Sequence, residues 1–273
     1  MAKLDKIAFV TALLIGSAAD CLAADKPAIV VEIESPLASS QPLQGYLRQT
    51  TDAGPSPAVI LLHSCNGNWQ RTDERWGKRI AAWGYVTLAV DSLGPRGIDS
   101  CHNTTPHDVD RDAYRALKFL VQLPSVDPAR VAVLGFARGG ATALRAVEHG
   151  PFEKTSPHKF GAAIAFYPPC SSFKGYMTVP TLILIGELDD WTPAEDCRNM
   201  VDGRDVWGIS RQERGAPVKL IVYPGAYHAF DAPNPKIPIE GHHLEFNQSV
   251  MDQASEALRE FLGATIGTKE LLQ

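Results

Sequence analysis

The sequence predicts an α/β fold: a mostly parallel, doubly wound sheet with helices on both faces. Three observations predict it. Short apolar runs bounded by turn residues recur along the chain, segments of helical period lie between them, and chemically capable side chains follow the runs. The chain has 273 residues, 45% of them hydrophobic and 21% charged. That size can bury one large core, so residues 24–273 are expected to form a single domain without internal repeats. Its 22 Gly and 20 Pro follow no period, which excludes collagenous and disordered classes. With 26 basic against 31 acidic residues, the net charge of -5 offers no general field for a phosphate backbone, and nucleic acid is not an expected partner.

Taken in order, the chain opens with Lys3 and Lys6 ahead of an apolar stretch at 7–19, then Cys21, Leu22 and Ala23 before polar Asp25 and Lys26. This is the pattern of a secretory signal peptide at residues 1–23, cleaved after Ala23. The apolar centre is shorter than the roughly 20 residues a spanning helix needs, so no stable membrane insertion is expected after cleavage. Acidic Asp20 before Cys21 argues against a lipoprotein attachment. The expected compartment is periplasmic or extracellular. Cleavage would leave Cys65, Cys101, Cys170 and Cys197. An even number of cysteines in an oxidising compartment points to two disulfides, with three connectivities open.

Residues 29–33 and 43–48 form the first, antiparallel part of the expected sheet, followed by a polar linker at 50–57. Apolar runs at 58–62, 85–90, 130–135, 161–166, 181–185 and 218–222 read as buried parallel strands. Ala113, Ala116, Leu117, Leu120 and Val121 share one helical face, and Val250, Ala254, Ala257, Leu258 and Phe261 mark a last helix. In such a sheet, ligands sit beyond the carboxyl ends of the strands, so functional residues are expected after them.

Residues 131–140 read VAVLGFARGG: a strand, a tight turn and small residues opening a helix. This is the shape of a nucleophile elbow, in which glycines flank a strained nucleophile and let helix and strand pack closely. The nucleophile position holds Ala137, which has no atom that can attack a carbonyl. Residues 181–193, TLILIGELDDWTP, place Asp189 after a strand, where an acid orients a histidine. The spacing from Gly186 to Pro193 favours Asp189 over its neighbour Asp190. Residues 218–230, VKLIVYPGAYHAF, put His228 on the loop after another strand, where it can act as a base. Elbow, acid and histidine at 137, 189 and 228 follow the chain order of α/β-hydrolases. Upstream, residues 58–67 read AVILLHSCNG. The backbone N–H of Cys65 there, with that of Arg138 after the elbow, suits an oxyanion hole. His63 is expected to order this loop rather than to act as a base.

The elbow GFARGG, the acid motif GELDDWTP, the histidine motif YPGAYHAF and the loop LLHSCNG together resemble the dienelactone hydrolase family, over nearly the whole chain after the signal. DSLGPRG at 91–97 and FYPPC at 166–170 resemble its exported members. The resemblance implies an α/β-hydrolase fold, hydrolysis of carboxylic esters or lactones, a nucleophile–Asp–His triad at 137, 189 and 228, and no metal or other cofactor. Ala137 departs from that pattern. So does Ser64, because the thiol enzymes of the family place a glutamate in this loop, and the chain is closer to serine-type relatives. In the implied topology the strands ending at His63 and Asp91 are neighbours, as are those ending at Phe166 and Gly186. That favours pairing Cys65 with Cys101 and Cys170 with Cys197, the other connectivities staying open.

Trp191 can line the pocket or simply pack, and Arg96 and Arg138 can hold a substrate carboxylate. His242 and His243 lack a nearby third ligand in the sequence, so a solvated loop rather than a metal site is expected. The expected function is an ester or lactone hydrolase scaffold inactive at its nucleophile, with a small-molecule ligand. The alternative is a natural pseudoenzyme that binds such a ligand. A third option is direct activation of water by His228.

Overall fold

In this computed structural model, residues 27–34, 41–50, 54–101, 109–204, 215–233, 237–239 and 241–268 are described. The expected export signal lies outside them. Strands β1 (Ile29–Ile33) and β2 (Leu43–Arg48) pair antiparallel, and β2 pairs antiparallel with β4 (Val86–Asp91). From there the sheet is parallel: β4 against β3 (Ser56–Leu62), then β5 (Val126–Phe136), β6 (Ala162–Phe166), β7 (Thr181–Gly186) and β8 (Val218–Tyr223). The order β1-β2-β4-β3-β5-β6-β7-β8 is that of an α/β-hydrolase sheet flanked by helices. Every residue of β3, β4, β6 and β7 is buried, as strands covered on both faces must be. This is why they read as continuous apolar runs rather than alternating ones.

Two strand boundaries differ from expectation by more than one residue. The linker expected at 50–57 yields Ser56 and Pro57 to β3, because the Ser56 N–H bonds to the Ser125 carbonyl and draws the strand back. The same pairing extends β5 to Val126, ahead of its apolar run. Helix α3 (Asp112–Leu120) matches the predicted face.

Between β3 and β4 the chain forms α1 (Trp69–Thr72), a π turn (Asp73–Gly77) and α2 (Lys78–Ala82), which the sequence reading did not assign. The turn is anchored by a buried two-point ion pair, Arg48 Nε to Asp73 Oδ1 at 2.9 Å and Nη2 to Oδ2 at 2.7 Å. Gly77 makes room for that carboxylate, since a Cβ there would lie 2.4 Å from Asp73 Oδ1. Helices α4 (Arg138–Val147) and α5 (Pro151–Thr155) follow β5, α6 (Ala194–Val201) follows β7, and α7 (Gln248–Thr265) closes the described chain. The Asn247 side chain caps α7 by accepting from the Val250 N–H.

His242 and His243 do not lie on an irregular loop. They begin β10 (His242–Leu244), paired antiparallel with β9 (Ile237–Ile239) in a small second sheet. This pairing is long in neither strand and leaves no apolar run, so periodicity could not reveal it.

Candidate active site

The turn after β5 has the conformation its glycines imply. Ala137 sits at φ 48 and ψ -112, a backbone that costs about 1–3 kcal/mol and persists only where its surroundings enforce it. The surroundings here are backbone. A Cβ on Gly135 would lie 2.0 Å from the Gly139 carbonyl oxygen, and one on Gly139 would lie 2.3 Å from that of Leu62. Strand, turn and helix are thus in closer contact than any side chain would allow. The Ala137 N–H is spent on the Phe166 carbonyl at 3.0 Å. The next one, on Arg138, opens α4 and has no acceptor among the described residues.

At the ends of β7 and β8 the acid and the histidine meet. His228 Nδ1 lies 2.8 Å from Asp189 Oδ2, with the Asp189 side chain fully buried and that of His228 5% exposed. The other carboxylate oxygen, Oδ1, accepts the N–H groups of Trp191 at 3.0 Å and Thr192 at 2.8 Å. Thr192 completes the arrangement. Its hydroxyl oxygen lies 2.9 Å from Asp189 Oδ2, 3.2 Å from His228 Nδ1 and 3.1 Å from the Tyr167 carbonyl. The sequence reading missed Thr192, although its spacing of three from Asp189 is that of a side-chain-closed turn. Asp190 points elsewhere, pairing with His242 Nδ1 at 3.5 Å and half exposed to solvent.

The loop after β3 is held by His63, whose two ring nitrogens are both engaged. Nδ1 donates to the Ser64 carbonyl at 2.6 Å, while Nε2 accepts the Ser92 N–H at 3.1 Å. That pattern requires the neutral ring, and burial pushes its pKa below the ordinary 6.5. His63 therefore orders the loop. A second restraint is the disulfide Cys65–Cys101, reinforced by the Cys101 N–H donating to the Cys65 carbonyl at 2.9 Å. Its counterpart Cys170–Cys197 ties the segment after β6 to α6. Both pairings are those the resemblance favoured. The Cys65 N–H, like that of Arg138, meets no acceptor among the described residues.

These segments enclose a cavity of about 430 Å³, large enough for a small organic molecule. Ser64, Cys65, Ala137, Arg138, Trp191 and His228 all line it. Ala137, Tyr167 and Ala229, the three non-glycine residues with positive φ among those described, lie on its wall too. Strain is concentrated where the walls converge. Trp191 stacks on His242, ring centroids 5.0 Å apart, so β10 backs this side of the cavity.

Arg96 is not among the lining residues. Its guanidinium makes a two-point pair with Asp112, Nη1 to Oδ2 at 2.7 Å and Nη2 to Oδ1 at 2.9 Å. Burial pushes the Asp112 pKa up against the opposing pull of Arg96, which explains why a guanidinium is committed there. The Arg138 side chain is likewise paired, with Asp110 at 3.4 Å. The guanidiniums on the wall without a sequence signal are Arg71 and Arg75, four residues apart on the α1 and π-turn segment. Arg75 is fixed by Asp231, Nε to Oδ2 at 3.1 Å. This fully buried carboxylate also accepts from Trp76 Nε1 at 2.7 Å and from the Tyr167 hydroxyl at 2.6 Å. Burial and the adjacent Asp231 charge push the Tyr167 phenol well above its usual value, so it stays protonated and donates. The Tyr167 ring in turn packs 4.6 Å from that of His228.

The model of the Dienelactone hydrolase family matches residues 43–265 of this chain. No curated protein matches it significantly in sequence. Among solved structures, Thermogutta terrifontis esterase 2 phosphorylated by paraoxon is similar with a TM-score of 0.65 at 20% identity, covering 88% of this chain and 95% of that one. The same esterase phosphoramylated by tabun gives 0.64 at 19% identity over the same shares. A Klebsiella pneumoniae subsp. pneumoniae protein named for the dienelactone hydrolases gives 0.66 at 18% identity, covering 87% of this chain and 99% of that one. At these identities the likeness concerns the fold.

Proposed function

Since the chain belongs to the dienelactone hydrolase family and has its ester- and lactone-hydrolase scaffold, we propose that it binds a small ester, lactone or related carbonyl compound without forming an acyl-enzyme. The observation that carries this reading is Ala137, held at φ 48 in the elbow on the wall shared with His228. In this reading the ligand carbonyl lies between the N–H groups of Cys65 and Arg138, which stabilise negative charge on its oxygen. Asp189 fixes the ring of His228, Trp191 covers the ligand, and no cofactor takes part. A methyl group stands where an attacking oxygen would be, so covalent turnover stops there. The structurally similar esterase is phosphorylated by paraoxon, a modification for which the Ala137 side chain offers no attacking atom.

The reading includes export: cleavage after Ala23 releases one domain, residues 24–273, into the periplasm or the medium. Two disulfides that staple the cavity walls support an oxidising compartment.

The test is a comparison of kcat/KM on a short-chain aryl ester for the parent, Ala137→Ser, Ala137→Cys, and Ala137→Ser combined with His228→Ala. Serine needs only the Asp189–His228 base and is expected to restore hydrolysis better than cysteine. Removing His228 is expected to abolish the gain. No gain with serine overturns the assignment of Ala137 as the missing nucleophile, and a gain that survives loss of His228 overturns that of the base.

A further inference from the structure

An acid-oriented base and two oxyanion donors line one cavity, and the elbow side chain beside them, Ala137, has no atom that can add to a carbonyl. We propose that this site catalyses proton transfer at carbon, enolising a small lactone or ketone. The proposal rests on the reading of Ala137, Asp189 and His228 given above.

His228 is 4% exposed and lines the cavity, and its Nδ1 is taken by Asp189 at 2.8 Å. A carboxylate only accepts, so the neutral ring carries its proton on Nδ1 and leaves a lone pair on Nε2, which has no partner among the described residues. In a hydrolase that lone pair serves the nucleophile hydroxyl. Here the alanine methyl offers no hydrogen bond, and the acid nearest the base is the bound ligand itself. A carbonyl polarised by the Cys65 and Arg138 N–H groups has acidified α C–H bonds. Phe136, Tyr167, Trp191 and Leu244 give the wall apolar surface beside its polar groups, and where they exclude water they strengthen the electrostatics of the donors.

The step balances without a further reactant. Nε2 takes an α-proton and that C–H bond breaks. Its electron pair becomes the C=C bond of an enolate, while the carbonyl π pair moves to oxygen and is held by the two N–H groups. The imidazolium, stabilised by Asp189, returns its proton to the α-carbon or, in an unsaturated lactone, to the γ-carbon. The first outcome is isotope exchange and the second is double-bond migration into conjugation.

The probe is α-angelica lactone, a β,γ-unsaturated lactone, incubated with the parent protein in D₂O and followed by proton NMR. Deuterium incorporation at the α-carbon and growth of the conjugated isomer are expected about 100-fold faster than with an equal concentration of His228→Gln, the range general-base catalysis supplies. Asp189→Asn is expected to lose most of that rate. Thermal melts of both variants show whether they are folded. Exchange no faster with the parent than with folded His228→Gln overturns the proposal, as does ring-opening without exchange, which would mean that His228 drives water instead. If exchange is absent while Ala137→Ser hydrolyses esters, only this inference fails. If exchange is present and Ala137→Ser is inert, the base stands and the nucleophile assignment fails.

Discussion

The turn after β5 and the loops after β7 and β8 converge on one cavity, yet different forces shape them. The turn is made by backbone: Gly135 and Gly139 bring main chain against main chain, and Ala137 between them stands at φ 48. The loops are made by side chains, with Asp189 accepting from two backbone N–H groups and standing within hydrogen-bond reach of His228 Nδ1 and the Thr192 hydroxyl. The difference explains how the turn can keep its strained shape with an alanine at its centre. It also teaches that a chemically silent elbow is not a relaxed one.

The largest effect is expected from breaking the backbone turn. Gly139→Ala places a Cβ 2.3 Å and 2.4 Å from the carbonyl oxygens of Leu62 and His63, neither of which can yield. A loss of more than about 4 kcal/mol is expected, read as absence of folded soluble protein or a collapsed denaturation midpoint. Breaking the side-chain half at its buried anchor comes next. Asp231→Ala strands Arg75, Trp76 and Tyr167 at once, and urea unfolding is expected to show a loss of about 3–5 kcal/mol. If Asp231→Ala is neutral, the side-chain half is not held as described.

A smaller effect is expected from the staple beside that half. Replacing Cys170 and Cys197 together by serine reopens a span of 27 residues, with an expected cost of about 3 kcal/mol in denaturant midpoints. The smallest concerns His63. Its folded pKa is depressed, so its contribution to stability is complete above the unfolded value of 6.5. As pH falls below 6.5 the unfolded chain takes up a proton that the folded chain resists, and stability declines toward the depressed folded value. The thermal midpoint of the parent should therefore drop more between pH 7.5 and pH 5.5 than that of His63→Asn. Equal slopes would show that the ring is not held neutral.

The two halves were not equally legible in the sequence. Glycine spacing and apolar runs are local, so the strands, the elbow and the order of 137, 189 and 228 could be read from a single chain. The disulfide pairing followed from topology once the resemblance supplied it. What escaped are partnerships between distant residues. Trp76 and Asp231 are 155 positions apart, and nothing in either segment announces the other. Arg96, conspicuous in its loop, serves Asp112, whereas Arg71 and Arg75 reach the cavity from a helical stretch that was not read as an element. The short β9–β10 pair escaped for lack of periodicity, and with it the stacking of His242 on Trp191.

In the proposed reading the two regions differ by one atom: the turn lacks the oxygen of a nucleophile, and the loops hold a base without that target. Paraoxon reads that atom directly. Intact-mass measurement after incubation should find the parent unmodified and Ala137→Ser carrying one diethylphosphoryl group per chain, with labelling lost when His228→Ala is added. A parent that is itself phosphorylated, or an Ala137→Ser protein that stays unlabelled though folded, would contradict the account.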